Sequence, residues 1–108
     1  MEPEETEHDI SEQPDDKGIF IGMKPLMNYV TAVVMQFTTK NAEHVSIKAR
    51  GKFISKAVDV AEVATKRFLE GQAEITSIKT NSEDFTSREG RNVTVSTIEI
   101  VLGRKNHA

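Results

Sequence analysis

The chain has 108 residues, 37% of them hydrophobic, and a formal net charge of -3, which is enough for one domain with one core. With 0 cysteines it excludes a disulfide framework, a thiolate nucleophile and a cysteine-containing zinc site, and it lacks both a secretory signal and the roughly 18-residue apolar run that spans a bilayer. The net charge hides a segregation: residues 1–17 hold eight acids against Lys17, whereas residues 18–108 hold 13 lysines and arginines against nine acids, a balance of +4 suited to an anionic partner.

Residues 1–17 (MEPEETEHDISEQPDDK) contain two prolines and Ile10 as their one branched aliphatic. They bury too little surface to offset the entropy of ordering, so a disordered acidic tail is predicted there. Its two readings are a solubilising extension and a competitor with phosphate for the basic surface. The folded domain is expected over 18–108.

Gly18 to Gly22 (GIFIG) is a short apolar run between glycines, the pattern of a buried strand. Pro25 suits the first turn of a helix, where its missing N–H is no loss. Leu26, Tyr29, Val30, Val33 and Phe37 then recur at three- and four-residue steps, predicting a helix over about 25–39 that leaves through Thr38, Thr39, Lys40 and Asn41. Glu43 to Lys48 alternates apolar Val45 and Ile47 with polar neighbours and reads as a second strand.

That strand feeds VSIKARGKFISKAVD, residues 45–59, where Lys48, Arg50, Lys52 and Lys56 place four cations within nine residues around Gly51. A glycine between strand and helix, with main-chain amides at the helix start and cations on both sides, predicts a phosphate-contacting turn; the bland alternative is a solvated charged rim. Helix two is expected from about Phe53 to Glu70, burying Ile54, Ala57, Val58, Ala61, Ala64 and Phe68 on one face and stopping at Gly71. Lys56 with Asp59, and Glu62 with Lys66, are expected to pair on its wet side. Ala73 to Thr80 and Asn92 to Leu102 are β-branched with period two, and Glu89-Gly90 between them marks a hairpin tip that would carry Arg88 and Arg91 outward.

The resulting order is βαβαββ: an α+β fold with a four-stranded mixed sheet and two helices on one face. The sheet's other face is expected to be apolar and to need a partner. Catalytic constellations fare poorly. Asp59 and Glu62 are explained by neighbouring lysines, adjacent Ser55 and Lys56 point about 100° apart on a helix, and His8, His44 and His107 have no ligand spacing. No phosphate-loop or dinucleotide fingerprint is present, so no enzyme, metal or cofactor is expected.

FIGMKPLMNYV, IKARGKFISKAVDVAE, RFL and GRNVTVSTIEIVL, in that order, resemble the Alba family of small archaeal chromatin and RNA-binding proteins over about residues 18–104. The resemblance implies a fold like the C-terminal domain of a bacterial translation initiation factor, assembled as a homodimer. In that family two basic loops lie along the DNA backbone and two hairpin arms reach toward the minor groove. Carried over by position, Lys24, Arg50, Lys52, Arg88 and Arg91 would be nucleic-acid contacts, beside Lys48 and Lys56 from the basic cluster. Phe68 would serve dimer–dimer packing along DNA, although its spacing alone marks it as core.

Two departures follow. Met23 stands where the family commonly has the first of two lysines, one of them acetylated, so acetylation does not carry over at that position and a phosphate contact is missing. Lys52 stands where arginine is frequent, which keeps the charge but loses the bidentate fork. Weaker DNA binding than in more basic members is therefore expected. The function that follows is dimeric, largely sequence-independent binding of double-stranded DNA, with structured RNA as a further partner, in a soluble cytoplasmic, chromosome-associated protein. Its scattered aromatics show no strand pair for stacking single-stranded bases, which favours duplex or folded RNA. The rivals are an RNA-centred ribonucleoprotein subunit or chaperone, and a protein-interaction module.

Overall fold

A computed structural model of the protein describes residues 18–105; the acidic tail expectation falls outside them. β1 (Ile19–Phe20) is shorter than its apolar run, although the Ile21 N–H still donates to the Lys48 carbonyl at 2.9 Å. α1 (Leu26–Thr38) begins just after Pro25, which lies at φ -60° one residue before the first turn rather than within it. Val30, Val33 and Phe37 are buried, as their spacing requires. The helix ends through Asn41 in the left-handed region at φ 59°, with the Ala42 N–H donating to the Gln36 carbonyl at 2.9 Å. That closure satisfies a helix-end carbonyl just past a left-handed residue, as helix C-terminal caps commonly do. Arg104, from the far end of the chain, reinforces it by donating to the Phe37 and Ala42 carbonyls at 2.8 and 2.9 Å.

β2 (His44–Arg50) runs two residues further than its alternation suggests and passes into a single 3₁₀ turn, Gly51–Phe53. α2 (Ile54–Val63) follows, and then a π turn, Ala64–Phe68, in which the Leu69 N–H reaches five residues back to the Ala64 carbonyl at 2.9 Å. This turn corrects the expected core face. The widened spacing brings Leu69, fully buried, to the place that regular helical spacing gives to Phe68, and Phe68 is left 48% exposed. Val58 is exposed as well, and Val60 joins Ala57, Ala61 and Ala64 in the core instead.

β3 (Ala73–Thr86) and β4 (Asn92–Arg104) complete a four-stranded sheet in the order β1-β2-β4-β3. β1 and β2 are parallel; β4 enters between β2 and β3 and is antiparallel to both. The second crossover therefore joins strands that share a direction without pairing. Val45, Ile47 and Ala49 of β2 and Ile98, Ile100 and Leu102 of β4 are buried and register together, and both helices pack against that face. Each fully buried Ile or Leu contributes about 1.5–3 kcal/mol relative to exposure.

The opposite face is not the apolar surface expected. The register sets Phe20, Lys48, Glu99 and Lys79 in one row across it, with Arg50, Thr97 and Asn81 in the next. Period-two alternation gives the middle of this face charged and polar side chains, Ser46, Lys48 and Arg50 on β2 and Thr97 and Glu99 on β4, with Val95 and Val101 of β4 on either side of them, and such a face can meet water.

Candidate nucleic-acid interface

Strand direction gathers the basic residues. The loop after β1 and the turn after β2 leave the same end of the sheet because those strands are parallel. β3 runs in that direction too, and it continues beyond the last β2 pairing, Arg50 with Thr97. From Ser82–Ser96 outward to Thr86–Asn92 the sheet is therefore a two-stranded arm projecting from the end that carries Lys24, Arg50, Lys52 and Lys56.

Gly51 lies at φ 57°, a conformation that side chains bearing a Cβ rarely adopt. A Cβ there would meet only Val95 Cγ1 at 3.6 Å, so the demand for glycine comes from the backbone and not from crowding. The left-handed residue turns the chain directly from strand into the 3₁₀ turn, where Lys52 is exposed with its Nζ 5.4 Å from the Phe53 ring centroid. Lys56 lies one turn further on. Its Nζ is 5.9 Å from the same ring and 5.6 Å from that of Tyr29.

Lys56 does not pair with Asp59 as its spacing suggests. Its ammonium donates to the carbonyls of Gly22 and Lys24 at 2.8 and 2.7 Å, tying α2 to the first loop. The Tyr29 hydroxyl accepts from the N–H groups of the same two residues, at 2.9 and 3.1 Å. Glu62 and Lys66 do pair as expected, at 2.8 Å on the exposed side of the helix.

Arg50 and Lys48 occupy the open face of the sheet. The Arg50 guanidinium is 3.1 Å from the Glu83 carboxylate and 5.3 Å from the Phe85 ring centroid, and the Lys48 ammonium is 5.3 Å from the centroid of Phe20. A shallow groove of about 750 Å³ runs between them, lined by Phe20, Lys48, Arg50, Lys79, Thr97 and Glu99. Lys79 and Phe20 of the groove, and Phe85 beyond it under Arg50, are residues that sequence reasoning missed. Only cross-strand register puts Lys79 in line with Lys48, and register also places Phe20 and Phe85, both part exposed, on a single face. The two aromatics lie on the two opposite edge strands of the sheet and do not form a pair on one strand.

Arg88 and Arg91 are exposed at the tip of the arm. The tip is a closed loop. Ser87 N–H donates to the Arg91 carbonyl at 2.7 Å, Gly90 N–H to the Ser87 carbonyl at 2.9 Å, and Gly90 takes φ 85°. The two arginines thus sit far along the arm from Lys24 and Lys52, whereas Phe68 lies on the π turn, away from the basic end. Among the described residues no group of three or more His, Cys, Asp or Glu is placed to hold a metal ion, and no helix is long and apolar enough to cross a membrane.

The model of the family described as Alba matches residues 17–82, the stretch that contains β1, the basic turn and both helices. The chain belongs to the Alba family. It is 57% identical over 88 residues to the DNA/RNA-binding protein Alba of Nanoarchaeum equitans, covering 81% of this chain and 97% of that one. To the DNA/RNA-binding protein Alba of Methanocella arvoryzae it is 50% identical over 95 residues, covering 88% and 97%. Among solved structures, Alba from Thermoplasma volcanium superposes with a TM-score of 0.73 at 49% identity, over 81% of this chain and 99% of that one. ALBA1 from Trypanosoma brucei, at 18% identity and a TM-score of 0.66 over 87% and 74%, shares the fold. The βαβαββ order and the four-stranded mixed sheet agree with the fold class expected from sequence.

Proposed function

We propose that this Alba protein binds nucleic acid as a homodimer, coating or bridging duplex DNA with little regard to sequence and binding structured RNA as well. The observation that carries the reading is the collection of Lys24, Arg50 and Lys52 at the end of the sheet from which the Arg88 and Arg91 arm projects. Cations on loops and turns meet phosphate oxygens, which every sequence presents alike, and each neutralised phosphate releases counterion. Lys48 and Lys79 extend the positive field over the open face, and Lys56 adds its charge behind the first loop. The arm, two strands wide and tipped with arginine, suits a groove beside the contacted backbone.

Exposed Val58 on α2 and Ile78 on β3 support an interface between two copies, and exposed Phe68 supports contacts between neighbouring dimers. The protein would then be soluble and associated with the chromosome. No catalytic role is assigned to it.

A second reading, an RNA-binding ribonucleoprotein subunit or RNA chaperone, is favoured by Phe20 and Phe85, which offer ring faces on the same side of the sheet as Lys48 and Arg50. A protein-interaction module without nucleic acid is the distant alternative. Competition between random duplex DNA, folded RNA and single strands at matched low salt separates the three. Duplex winning or equalling RNA supports the first reading, RNA winning clearly supports the second, and no shift with either nucleic acid leaves the third. Repeating the titration without residues 1–17 tests the proposed competition: tighter binding is expected at low salt, and unchanged binding makes the segment a solubilising extension only.

A further inference from the structure

Lys56 is among the cations of the basic cluster, yet its ammonium points into the protein. Two of its three N–H donors are taken by the Gly22 and Lys24 carbonyls, and the Tyr29 and Phe53 rings lie 5.6 and 5.9 Å away. Tyr29 contributes the complementary half. Its hydroxyl oxygen has two lone pairs, and both are filled by the N–H groups of Gly22 and Lys24. One side chain from α1 and one from α2 thereby satisfy all four main-chain polar groups of the two residues on either side of Met23, itself 78% exposed.

A short exposed loop with no strand partner on its outer side would otherwise leave those groups to water and sample many conformations. Charge-assisted bonds at 2.7 and 2.8 Å are the strong kind, and the two ring faces favour the same ammonium position. Gly22 fits the arrangement: a Cβ there would stand 3.4 Å from the Tyr29 hydroxyl.

We propose that Lys56 and Tyr29 are positioning residues of the nucleic-acid interface, clamping the 22–24 loop so that the Lys24 ammonium is presented beside the Gly51 turn, and that Lys56 itself makes no phosphate contact. The inference rests on the nucleic-acid reading above and changes the role of one residue in it. Lys24 is the one lysine of this loop, so holding it in place matters correspondingly more.

The test uses the full chain and four variants, Tyr29→Phe, Lys56→Met, Lys24→Ala and the double variant Lys24→Ala/Tyr29→Phe. It reads random-sequence duplex affinity across a salt series, and amide hydrogen exchange at Gly22 and Lys24. Tyr29→Phe removes no charge, yet it is expected to weaken binding roughly tenfold at low salt and to lower the log–log salt slope by about 0.9, as one lost phosphate contact does. In the Lys24→Ala background it should add nothing. Exchange at Lys24 should quicken in both Tyr29→Phe and Lys56→Met by more than it does at the core amides of the same variants, which report any loss of global stability. Wild-type affinity and slope in Tyr29→Phe would overturn the positioning role, and a lowered slope in Lys56→Met alone would make Lys56 a direct contact. Unchanged exchange at Lys24 in Lys56→Met would overturn the clamp. A wild-type chain that binds neither duplex DNA nor folded RNA at low salt would instead sink the interface reading, with the exchange data still deciding the clamp.

Discussion

The guanidinium of Arg50 stands 3.1 Å from the carboxylate of Glu83, joining the last residue of β2 to the base of the arm. Phe85, two residues further out on β3, packs its ring under the same guanidinium. Both charged side chains are about half exposed, so the pair adds at most a few tenths of a kcal/mol to stability. Its larger consequence is for ligand binding, because a phosphate approaching Arg50 must displace or share it with a carboxylate already in place.

Glu83→Gln should therefore tighten duplex binding, by roughly three- to tenfold at low salt, with the gain shrinking as salt rises. Titrating the variant and the wild type at two salt concentrations checks this. Weaker binding by the variant would mean that Glu83 is needed to aim Arg50, not that it competes for it.

Phe68 and Leu69 are adjacent and should behave oppositely. Leu69→Ala empties a fully buried site and is expected to cost about 2–5 kcal/mol in urea unfolding. Phe68→Ala, at a half-exposed position, should cost under about 1 kcal/mol while making the proposed coating of DNA less cooperative and leaving the proposed dimer intact. A dimeric wild type that sediments as monomers on Phe68→Ala would instead put Phe68 in the interface of the dimer itself.

Arg104 closes the end of α1 from a strand more than sixty residues away, through the Phe37 and Ala42 carbonyls, with its guanidinium over the Phe37 ring at 5.6 Å. Arg104→Ala leaves those carbonyls without their charged donor and should lower stability by about 2 kcal/mol. Since it lies away from the basic end, duplex affinity should be unchanged once the variant is folded. Denaturant unfolding and a single low-salt titration separate the two effects.

Much of the fold was legible because the local signals are periodic. Val30, Val33 and Phe37 announce α1, and Ile98, Ile100 and Leu102 announce the buried face of β4. The π turn was not legible, since one extra residue per turn breaks the period that predicts the core face, and that is why Phe68 and Leu69 exchange places. The length of the arm was hidden too. Asn81, Ser82, Glu83 and Asp84 are poor strand formers by composition and are held in the ladder by pairing with β4. At the site, spacing identified the cations but not their directions. Lys56 turns inward to carbonyls that precede it by more than thirty residues, and Lys79 joins Lys48 only through the register of the one intervening strand, β4. Such relations live in tertiary structure and leave no mark on neighbouring residues.

The most direct measurement of phosphate-led binding is the salt dependence of affinity for two unrelated duplexes, in the wild type and in Arg50→Ala. A steep slope common to both duplexes is expected, with Arg50→Ala weakening both about equally and lowering the slope by about 0.9. A loss confined to one duplex, or a slope that Arg50→Ala leaves untouched, would contradict it.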